Sequence, residues 1–348
     1  MRRERLKELL SRLAGLKIAV VGDLFLDRWW EIDRGLDELS VETDLTAYQV
    51  VGRRLSAGAA GTVLNNLSEL GVGQLAAVSM VGDDGEGYEM LRLLERRQVD
   101  TRWVVRSPDI FTPTYNKPMF FTGDSGERED HRFDIKNVRP TPVPIMECLL
   151  ENLEKAADWA DALIVLDQLT ESDTGVVTAA MRRRLAEVAK RRPELLIVGD
   201  SRAYADRFTD LIIKCNDKEA RQLAGRPADA PFDLKELGAC MEMLRQRTGR
   251  PAIVTCGERG VLAPEEGGAV LVPALPVSGP IDVCGCGDAC TSGMVSALCA
   301  GATMTEAAEV GNLCSAVTIR KLGTTGTASQ TELMARFDEA FTEEGVAR

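Results

Sequence analysis

Ala162-Leu-Ile-Val-Leu-Asp167 and Leu195-Leu-Ile-Val-Gly-Asp200 are two apolar runs that each end in an aspartate, and a predicted helix over residues 174–192 lies between them. A short, continuous apolar run that stops at a polar residue is typical of a strand buried on both faces of a parallel sheet. This stretch therefore predicts a strand, a helix and a second strand in succession.

The same alternation extends along most of the chain. Further strands are predicted at residues 17–23, 75–81, 210–216 and 252–257, and further helices at residues 3–14, 61–70, 88–98, from 217, 286–300 and 304–320. Repeated alternation of strands and helices indicates an α/β fold with a doubly wound, mostly parallel sheet and helices on both of its faces.

Two segments break this pattern, at residues 29–56 and 101–135. They contain short β-like runs, such as those at residues 48–51 and 119–121, and they lack helical periodicity. We expect them to form a small β-sheet lid that is inserted into a single domain covering residues 1–348.

The charge balance and the histidine count argue against nucleic-acid binding and against a histidine-based zinc site. The 348 residues include 42 Lys and Arg against 54 Asp and Glu, which gives a net charge of −12. An acidic protein repels nucleic-acid phosphates, and the basic clusters at residues 182–184 and 190–192 are interpreted as the solvated face of a helix. The single histidine, His131, excludes a multi-histidine zinc site and is expected at the surface.

Nine cysteines are scattered through the chain, several of them within apolar runs. Their odd number and their scatter are typical of reduced thiols rather than of a disulfide framework. Cys284, Cys286 and Cys290 form one cluster, but it lacks a second ligand pair for a metal. The charged N-terminus has no apolar signal-peptide core and no run approaches 18 apolar residues, so the sequence predicts a cytoplasmic protein without membrane contact.

Polar residues stand at the ends of the predicted strands, namely Asp23, Asp83, Asp167, Asp200 and Asn216. In a doubly wound sheet, ligands bind at the carboxyl ends of the strands. Each of these residues also fits the N-cap of the helix that follows it. Five of them in one sheet nevertheless indicate that some line a site.

Asp282-Val-Cys-Gly-Cys-Gly-Asp-Ala-Cys-Thr-Ser-Gly293 carries the strongest chemical signal. A turn with Gly285 and Gly287 opens directly into an apolar helix, and backbone N–H groups at such a helix start bind anions. Asp288 stands beside that anion site, where a carboxylate can accept a hydroxyl proton as a general base, although it also fits an ordinary N-terminal helix residue. The stretch is neither a Walker A loop, because no Gly-Lys-Ser/Thr follows, nor a dinucleotide fingerprint, which follows the first strand.

This stretch resembles the D-T-T-G-A-G-D-x-F-x-x-G signature of the ribokinase-like (PfkB) carbohydrate kinases. Residues 20–30, Val-Val-Gly-Asp-Leu-Phe-Leu-Asp-Arg-Trp-Trp, resemble the opening of the branch that phosphorylates D-glycero-β-D-manno-heptose 7-phosphate. Other similar stretches follow in family order at residues 56–66 (substrate-binding G-G-A-x-N), 216–219 (N-x-x-E), 255–260 (T-x-G-x-x-G) and 321–327 (K-L-G-T).

The resemblance implies an ATP- and Mg²⁺-dependent sugar kinase and a role for each matching residue. Asp288 would be the general base, and the N–H groups of Gly285, Cys286 and Gly287 would form the anion hole. Asn216 and Glu219 would position Mg²⁺ and the triphosphate through water, Thr255, Gly257 and Gly260 would flank the nucleotide, and Asn312 would lie near its base. Asp23, Asp27, Gly58 and Asn66 would hold the sugar, and Lys117 would meet the phosphate of a phosphosugar. The resemblance leaves open a need for a monovalent cation and a homodimer formed through the lid.

Two departures from the family pattern lie in the substrate half of the site. Ala59 replaces the second glycine of the Gly-Gly pair, and it puts a methyl group where the backbone is expected to take a positive φ or to approach the sugar. Thr62 replaces an asparagine. Three alternatives to a heptose phosphate kinase therefore stay open: a kinase for another phosphosugar, a kinase for a nucleoside, and a non-catalytic regulator that binds a sugar or nucleotide. A Rossmann oxidoreductase is disfavoured by the missing early fingerprint.

Overall fold

A computed structural model describes residues 1–121 and 126–341 of the chain. Its strands are β1 Lys17–Gly22, β2 Leu24–Ile32, β3 Glu38–Leu39, β4 Thr46–Ala47, β5 Val50–Ala59, β6 Gln74–Gly82, β7 Val99–Ser107, β8 Thr114–Phe121, β9 Glu127–Glu129, β10 Phe133–Ile135, β11 Ala162–Asp167, β12 Leu196–Ser201, β13 Ile212–Asn216, β14 Ala252–Thr255, β15 Val261–Glu265 and β16 Gly268–Val272. Its helices are α1 Arg3–Arg12, α2 Ala60–Glu69, α3 Gly85–Arg96, α4 Val143–Trp159, α5 Ala179–Arg191, α6 Asp217–Leu223, α7 Leu234–Thr248, α8 Cys286–Cys299, α9 Met304–Thr318 and α10 Gln330–Ala340.

The main sheet has the strand order β16-β15-β14-β13-β12-β11-β1-β6-β7. The strands from β14 to β7 pair in parallel, whereas β15 and β16 add an antiparallel hairpin at one edge. The chain leaves β1 toward β6 on one side and returns to β11 on the other side. The strand order therefore reverses beside β1, where a doubly wound sheet opens a crevice for ligands.

Both faces of the main sheet are covered by helices, as predicted. Successive side chains of a strand point to opposite faces, and in β1 Ile18 and Val20 pack with one layer while Ala19 and Val21 pack with the other. The first layer contains α1, α2, α3, α8, α9 and α10, and the second contains α4, α5, α6 and α7. This double burial explains why the strands are continuously apolar.

A second, smaller sheet has the order β10-β8-β2-β5, with β9 paired to β8. We call this sheet the lid. It confirms the predicted small β-sheet but changes its bounds, because β2 and β5 extend to residues 24 and 59 rather than stopping at 29 and 56. The second predicted segment, 101–135, is wrong at its start, since β7 pairs in parallel with β6 in the main sheet. Residues 122–125 of that segment lie outside the described residues.

Two local predictions need correction on the second face of the main sheet. The predicted helix 174–192 begins only at Ala179, because Thr178 caps it by accepting a hydrogen bond from the Met181 N–H, and residues 168–178 form a loop. The basic cluster at 182–184 is not a uniformly solvated face, because Arg182 is buried against the carboxylate of Asp167. His131 is exposed, as predicted.

Candidate active site

The five polar strand-end residues stand at the carboxyl ends of five neighbouring strands. In sheet order they are Asn216, Asp200, Asp167, Asp23 and Asp83. The predicted edge of polar side chains is therefore present, but its members do different things. Asn216 is the N-cap of α6, so the capping interpretation holds for that residue.

Asp23 and Asp167 are both buried, and the loop 168–178 covers Asp23. One carboxylate oxygen of Asp23 accepts the Val176 N–H at 2.8 Å, and burial raises the pKa of Asp23 to about 7. Asp167 accepts hydrogen bonds from Ser201 and Arg182, and burial raises its pKa to about 6. Because Asp23 is only 3% exposed, it does not line an open cleft. A sugar would reach its side chain only after the loop moved.

One face of the lid carries the polar groups expected of a sugar site. The register aligns Asp27 of β2 with Tyr115 of β8, and Trp29 with Lys117, so these side chains share a face. The Lys117 ammonium lies 3.4 Å from the Asp27 carboxylate and 4.5 Å from the centre of the Trp29 ring. Burial raises the pKa of Asp27, and Lys117 partly offsets that rise.

Gly58 lies next to Asp27 on the adjacent strand β5. A Cβ atom on Gly58 would stand 2.5 Å from a carboxylate oxygen of Asp27, so only glycine leaves room for that carboxylate. Asn66, in contrast, is 1% exposed and donates to the Thr62 carbonyl within α2. The structure thus brings Asp27, Gly58 and Lys117 together and leaves Asn66 inside the helix packing.

The predicted glycine turn lies at the start of α8. Gly285 is the N-cap with φ of +77°, and Gly287 and Asp288 occupy the first helical turn, where backbone N–H groups lack helical acceptors. The Cys286 N–H, which we expected in the anion hole, donates instead to the Val283 carbonyl at 3.2 Å because the turn 283–286 closes on itself. Gly285 and Gly287 keep N–H groups without a partner in the described part of the chain.

Asp288 is partly exposed and stands among charged groups from other elements. Burial raises its pKa to about 7, the nearby Asp200 raises it further, and Lys214 and Arg202 act in the opposite direction. Asp27 of the lid is also close enough to raise the pKa of Asp288. Asp27 and Asp288 therefore lie near each other, and we call the space between them, beside the glycine turn, the cleft.

Lys214 is a site residue that the sequence reasoning missed. It is 6% exposed, and its ammonium lies 2.8 Å from the Asp200 carboxylate. The same ammonium lies 3.6 Å from the position that a Cβ atom on Gly287 would take, so it reaches the glycine turn. The available signal was a lysine inside the otherwise apolar strand run Ile-Ile-Lys-Cys, since a lysine is almost never fully buried unless it is paired.

Asn216 and Glu219 hold each other in a capping box. The Asn216 N–H donates to Glu219 Oε2, and the Glu219 N–H donates to Asn216 Oδ1, both at 2.8 Å. Glu219 Oε1 has no partner within the described residues, and burial raises the pKa of this carboxyl. The pair therefore offers a carboxylate oxygen at the helix start while the rest of its polar groups are occupied.

The other residues predicted to bind the nucleotide lie at the end of β14, in the turn that follows it and in α9. Thr255 donates to the Cys215 carbonyl, and Gly257 and Gly260 have φ of +57° and +108°. A side chain on Gly260 would overlap the Val272 backbone. Asn312 is buried, and its amide donates to the Val272 and Pro273 carbonyls at 3.1 Å, which ties α9 to the end of β16.

The donor set fits a hydrated Mg²⁺ better than a directly chelated metal. In the described ranges, no group of three or more His, Cys, Asp or Glu side chains could hold a metal ion. Mg²⁺ commonly keeps several waters and binds through one or two carboxylates and substrate phosphates, which is what Glu219 and its neighbours offer.

All nine cysteines are free thiols, as predicted. Residues 1–121 and 126–341 include no helix long and apolar enough to cross a membrane.

A family model described as pfkB family carbohydrate kinase matches residues 17–331. The chain belongs to the pfkB family. Curated relatives include the bifunctional protein HldE of Trichlorobacter lovleyi, 27% identical over 345 residues, and that of Citrifermentans bemidjiense, 27% identical over 339 residues. These matches cover 96% and 95% of this chain and 65% of each relative, so the chain spans less than two thirds of the length of these relatives.

Solved structures of sugar kinases share the fold. Phosphofructokinase-2 of Escherichia coli in complex with potassium aligns with a TM-score of 0.71 at 16% identity, over 93% of this chain and 98% of that one. Ribokinase of Arabidopsis thaliana complexed with ribose and ATP aligns with a TM-score of 0.67 at 15% identity, over 92% of this chain and 98% of that one. The ribokinase-like α/β fold expected from the sequence is therefore confirmed.

Proposed function

We propose that this protein transfers the γ-phosphoryl group of ATP to a hydroxyl group of a sugar or phosphosugar. The observation that carries the proposal is the position of Asp288, a carboxylate with a pKa of about 7 between a glycine turn and the polar face of the lid. A general base works best when its pKa lies near the working pH. Membership of the pfkB family supports the same reaction class.

In the proposed reaction, the Asp27 carboxylate accepts hydrogen bonds from sugar hydroxyls and orients the acceptor toward Asp288. Asp288 takes the proton of the attacking hydroxyl while the new O–P bond forms. The bond between the γ-phosphorus and the bridging oxygen breaks, and ADP leaves with that electron pair. The N–H groups of Gly285 and Gly287 stabilise the charge on the transferring group, as expected for a reaction that depends on positioning and electrostatics.

Glu219, with Asn216 fixed beside it, is the residue that would hold hydrated Mg²⁺ at the triphosphate. When bound, the ion neutralises phosphate charge and orients the β- and γ-phosphates. The capping box keeps the Glu219 side chain in one orientation, since Oε2 is bound to the Asn216 N–H. Glu219→Gln should therefore raise the Mg²⁺ concentration needed for half-maximal rate, and an unchanged Mg²⁺ titration would remove Glu219 from this role.

A heptose 7-phosphate is the proposed acceptor, with phosphorylation at the anomeric hydroxyl to give the 1,7-bisphosphate. The similarity to HldE proteins supports this substrate, and Lys117 supplies a cation on the lid face beside Asp27. Ala59 and Thr62 favour the second candidates, another phosphosugar, a nucleoside or a non-catalytic role, because both lie where α2 begins next to Gly58.

The deciding experiment is ADP release from Mg·ATP with a panel of sugars, phosphosugars and nucleosides, with Asp288→Asn as the matched control. Turnover of one compound, lost at least a thousandfold in the variant with ATP binding retained, supports the proposal and identifies the substrate class. Turnover within tenfold of the wild type in Asp288→Asn contradicts the role of this base. ATP binding without turnover of any compound favours the regulator.

Lys117 allows a separate test of the phosphosugar hypothesis. Lys117→Ala should reduce kcat/KM for a phosphosugar at least tenfold more than for the corresponding neutral sugar, because only the former has a phosphate for the ammonium to meet. Equal losses for both would show that Lys117 acts only through Asp27 and Trp29.

The lid also supports a proposed homodimer. Strand β5 is an edge of the lid sheet, and the segment before it exposes Leu39, Val41 and Leu45 by 68% or more. Unpaired edge strands and exposed apolar side chains favour association with another chain, and we assign that place to a second copy. Sedimentation velocity should give a dimer that Val41→Asp converts to a monomer.

We also propose that the reaction requires a monovalent cation. This requirement is tested by comparing rates in potassium and tetramethylammonium salts.

A further inference from the structure

The buried ion pair of Lys214 and Asp200 lies under the glycine turn and has no role in the reaction described above. Lys214 stands in the middle of β13 and Asp200 in the neighbouring strand β12, where their Cα atoms are direct register partners. The side chains are 8% and 13% exposed and 2.8 Å apart. Burying two charges costs free energy that a pair of apolar residues would not, so the pair needs an explanation beyond stability.

The Lys214 ammonium has unused hydrogen-bond donors beside the glycine turn. A lysine has three N–H donors, and Asp200 accepts one; the other two have no hydrogen-bond partner within the described residues. The ammonium reaches Gly287, whose N–H is itself unpartnered, and it lowers the pKa of Asp288. Two unused donors therefore lie beside the backbone groups that we assign to the transferring phosphoryl group.

A hydrogen bond from Thr291 of α8 also fixes the position of Asp200. Thr291, one turn beyond the glycine turn, places its hydroxyl 3.3 Å from Asp200 Oδ2 and 3.0 Å from the Gly287 carbonyl. Strand β12, strand β13 and helix α8 therefore meet at this carboxylate. A displacement of Lys214 away from Asp200 would be sensed by Asp288, since both charged groups act on it.

We infer that Lys214 exchanges Asp200 for the γ-phosphoryl group when ATP binds, and that the carboxylate left behind makes Asp288 a stronger base only in that complex. This inference rests on the proposed function. Lys214 stays protonated throughout; it donates hydrogen bonds to the phosphoryl oxygens while the sugar oxygen–phosphorus bond forms, the bond to ADP breaks and Asp288 takes the proton. ATP binding would thereby activate the base, which limits proton removal without a phosphoryl donor.

The charged groups with the largest effect on Asp288 come from four places, and the thiols of Cys284 and Cys286 also lie near it. The charged groups are Asp200 on β12, Lys214 on β13, Arg202 just after β12 and Asp27 on the lid. Arg202 forms no ion pair in the described ranges, so its charge does not depend on a partner exchange. Among these groups, the Asp200–Lys214 pair has the geometry of a switch, because Lys214 reaches both a carboxylate and the glycine turn.

The first test compares nucleotide affinities by calorimetry and requires no sugar. The variant is Asp200→Asn with Lys214→Met, which removes both charges and leaves no unpaired buried ion. We expect the preference for the non-hydrolysable analogue AMP-PNP over ADP to fall at least tenfold, with the Kd for ADP changed less than threefold. An unchanged preference would overturn the inference. Lys190→Met, which removes an exposed lysine paired with Asp210, should match the wild type.

The second test uses the pH profile of kcat on the substrate found by the panel. In Asp200→Asn alone, the midpoint of the acidic limb should move down by about one pH unit, because a like charge near Asp288 has been removed. A fall in kcat without a shift of the midpoint would mean that the pair is merely structural, and would overturn the inference.

The outcomes separate this inference from the proposed function. Turnover that survives Asp288→Asn defeats the proposed base whatever the AMP-PNP preference shows. Loss of turnover in Asp288→Asn, together with an unaltered AMP-PNP preference in the double variant, leaves the kinase intact and defeats only the exchange by Lys214. Near-UV circular dichroism of each variant confirms that the comparison is made on folded protein.

Discussion

Replacing Ala59 by glycine should stabilise the protein, although it removes a methyl group. Ala59 is the N-cap of α2 and has φ of 51° and ψ of −119°, a conformation that L-residues rarely adopt. A non-glycine residue held in such a region costs about 1–3 kcal/mol. Two terms oppose the relief of this strain, namely about 0.4–1 kcal/mol for the added freedom of glycine in the unfolded chain, and a fraction of the ~0.8 kcal/mol for a partly buried methyl group.

The net expectation for Ala59→Gly is a gain of about 1 kcal/mol in the free energy of unfolding. Urea unfolding followed by tryptophan fluorescence measures it. The matched control is Ala60→Gly, one residue later in the regular first turn of α2, which should lose about 1–2 kcal/mol because glycine is a poor helix former and the buried Ala60 methyl group is lost. A loss in Ala59→Gly similar to the loss in the control would refute the argument from backbone strain.

Three further predictions concern the site and its support. Gly58→Ala should raise the KM for the sugar at least tenfold and leave the KM for ATP within twofold, because the new Cβ displaces the Asp27 carboxylate; steady-state kinetics with each substrate varied would show a uniform change if this is wrong. The value of kcat should rise with pH through about 7 and level off above it, because Asp288 must lose its proton to act as a base, and a flat profile between pH 5.5 and 8.5 would contradict this. Arg182→Ala should lower the free energy of unfolding by about 3–5 kcal/mol, since it leaves the buried Asp167 unpaired; urea unfolding showing a loss below 1 kcal/mol would contradict it.

The sequence pattern predicts most of the main sheet because its strands are buried on both faces. Runs such as residues 17–23 and 162–167 are continuously apolar for that reason, and the polar residues that end them stand side by side in the structure. Strand β7 is different. It lies at an edge of the sheet, and only every fourth side chain is buried, namely Val99, Trp103 and Ser107, so its sequence, like that of a lid strand, lacks the continuous apolar run of the inner strands. Only the pairing of β7 with β6 distinguishes the two.

The buried charges escape prediction because their partners are distant in sequence. Arg182 looks solvated beside its basic neighbours, and only the fold brings it to Asp167. Lys214 looks like an exception in an apolar strand, and only the register with β12 supplies Asp200. Motif matching likewise identifies Asp23 without revealing that the loop 168–178 covers it.

The acidic net charge and a triphosphate ligand are compatible because the cations are concentrated where phosphate chemistry would occur. A charge of −12 repels anions at long range, but exposed charges are screened beyond about 8–10 Å at physiological salt. Inside the cleft, Lys214 stands beneath the glycine turn, Arg202 near Asp288 and Lys117 on the lid, each within reach of a carboxylate. Those carboxylates keep the site close to neutral before a ligand binds. In the proposed reaction Asp288 becomes the base and Asp27 the sugar ligand once phosphate groups bind the cations. The same pairing would favour binding of acceptor and nucleotide together. Phosphates that bind the cations free the carboxylates, and the freed carboxylates then bind sugar hydroxyl groups. The Kd for the sugar should therefore be lower for AMP-PNP-saturated protein than for nucleotide-free protein in binding titrations, and equal sugar affinities in the two states would show that the cations and carboxylates act independently.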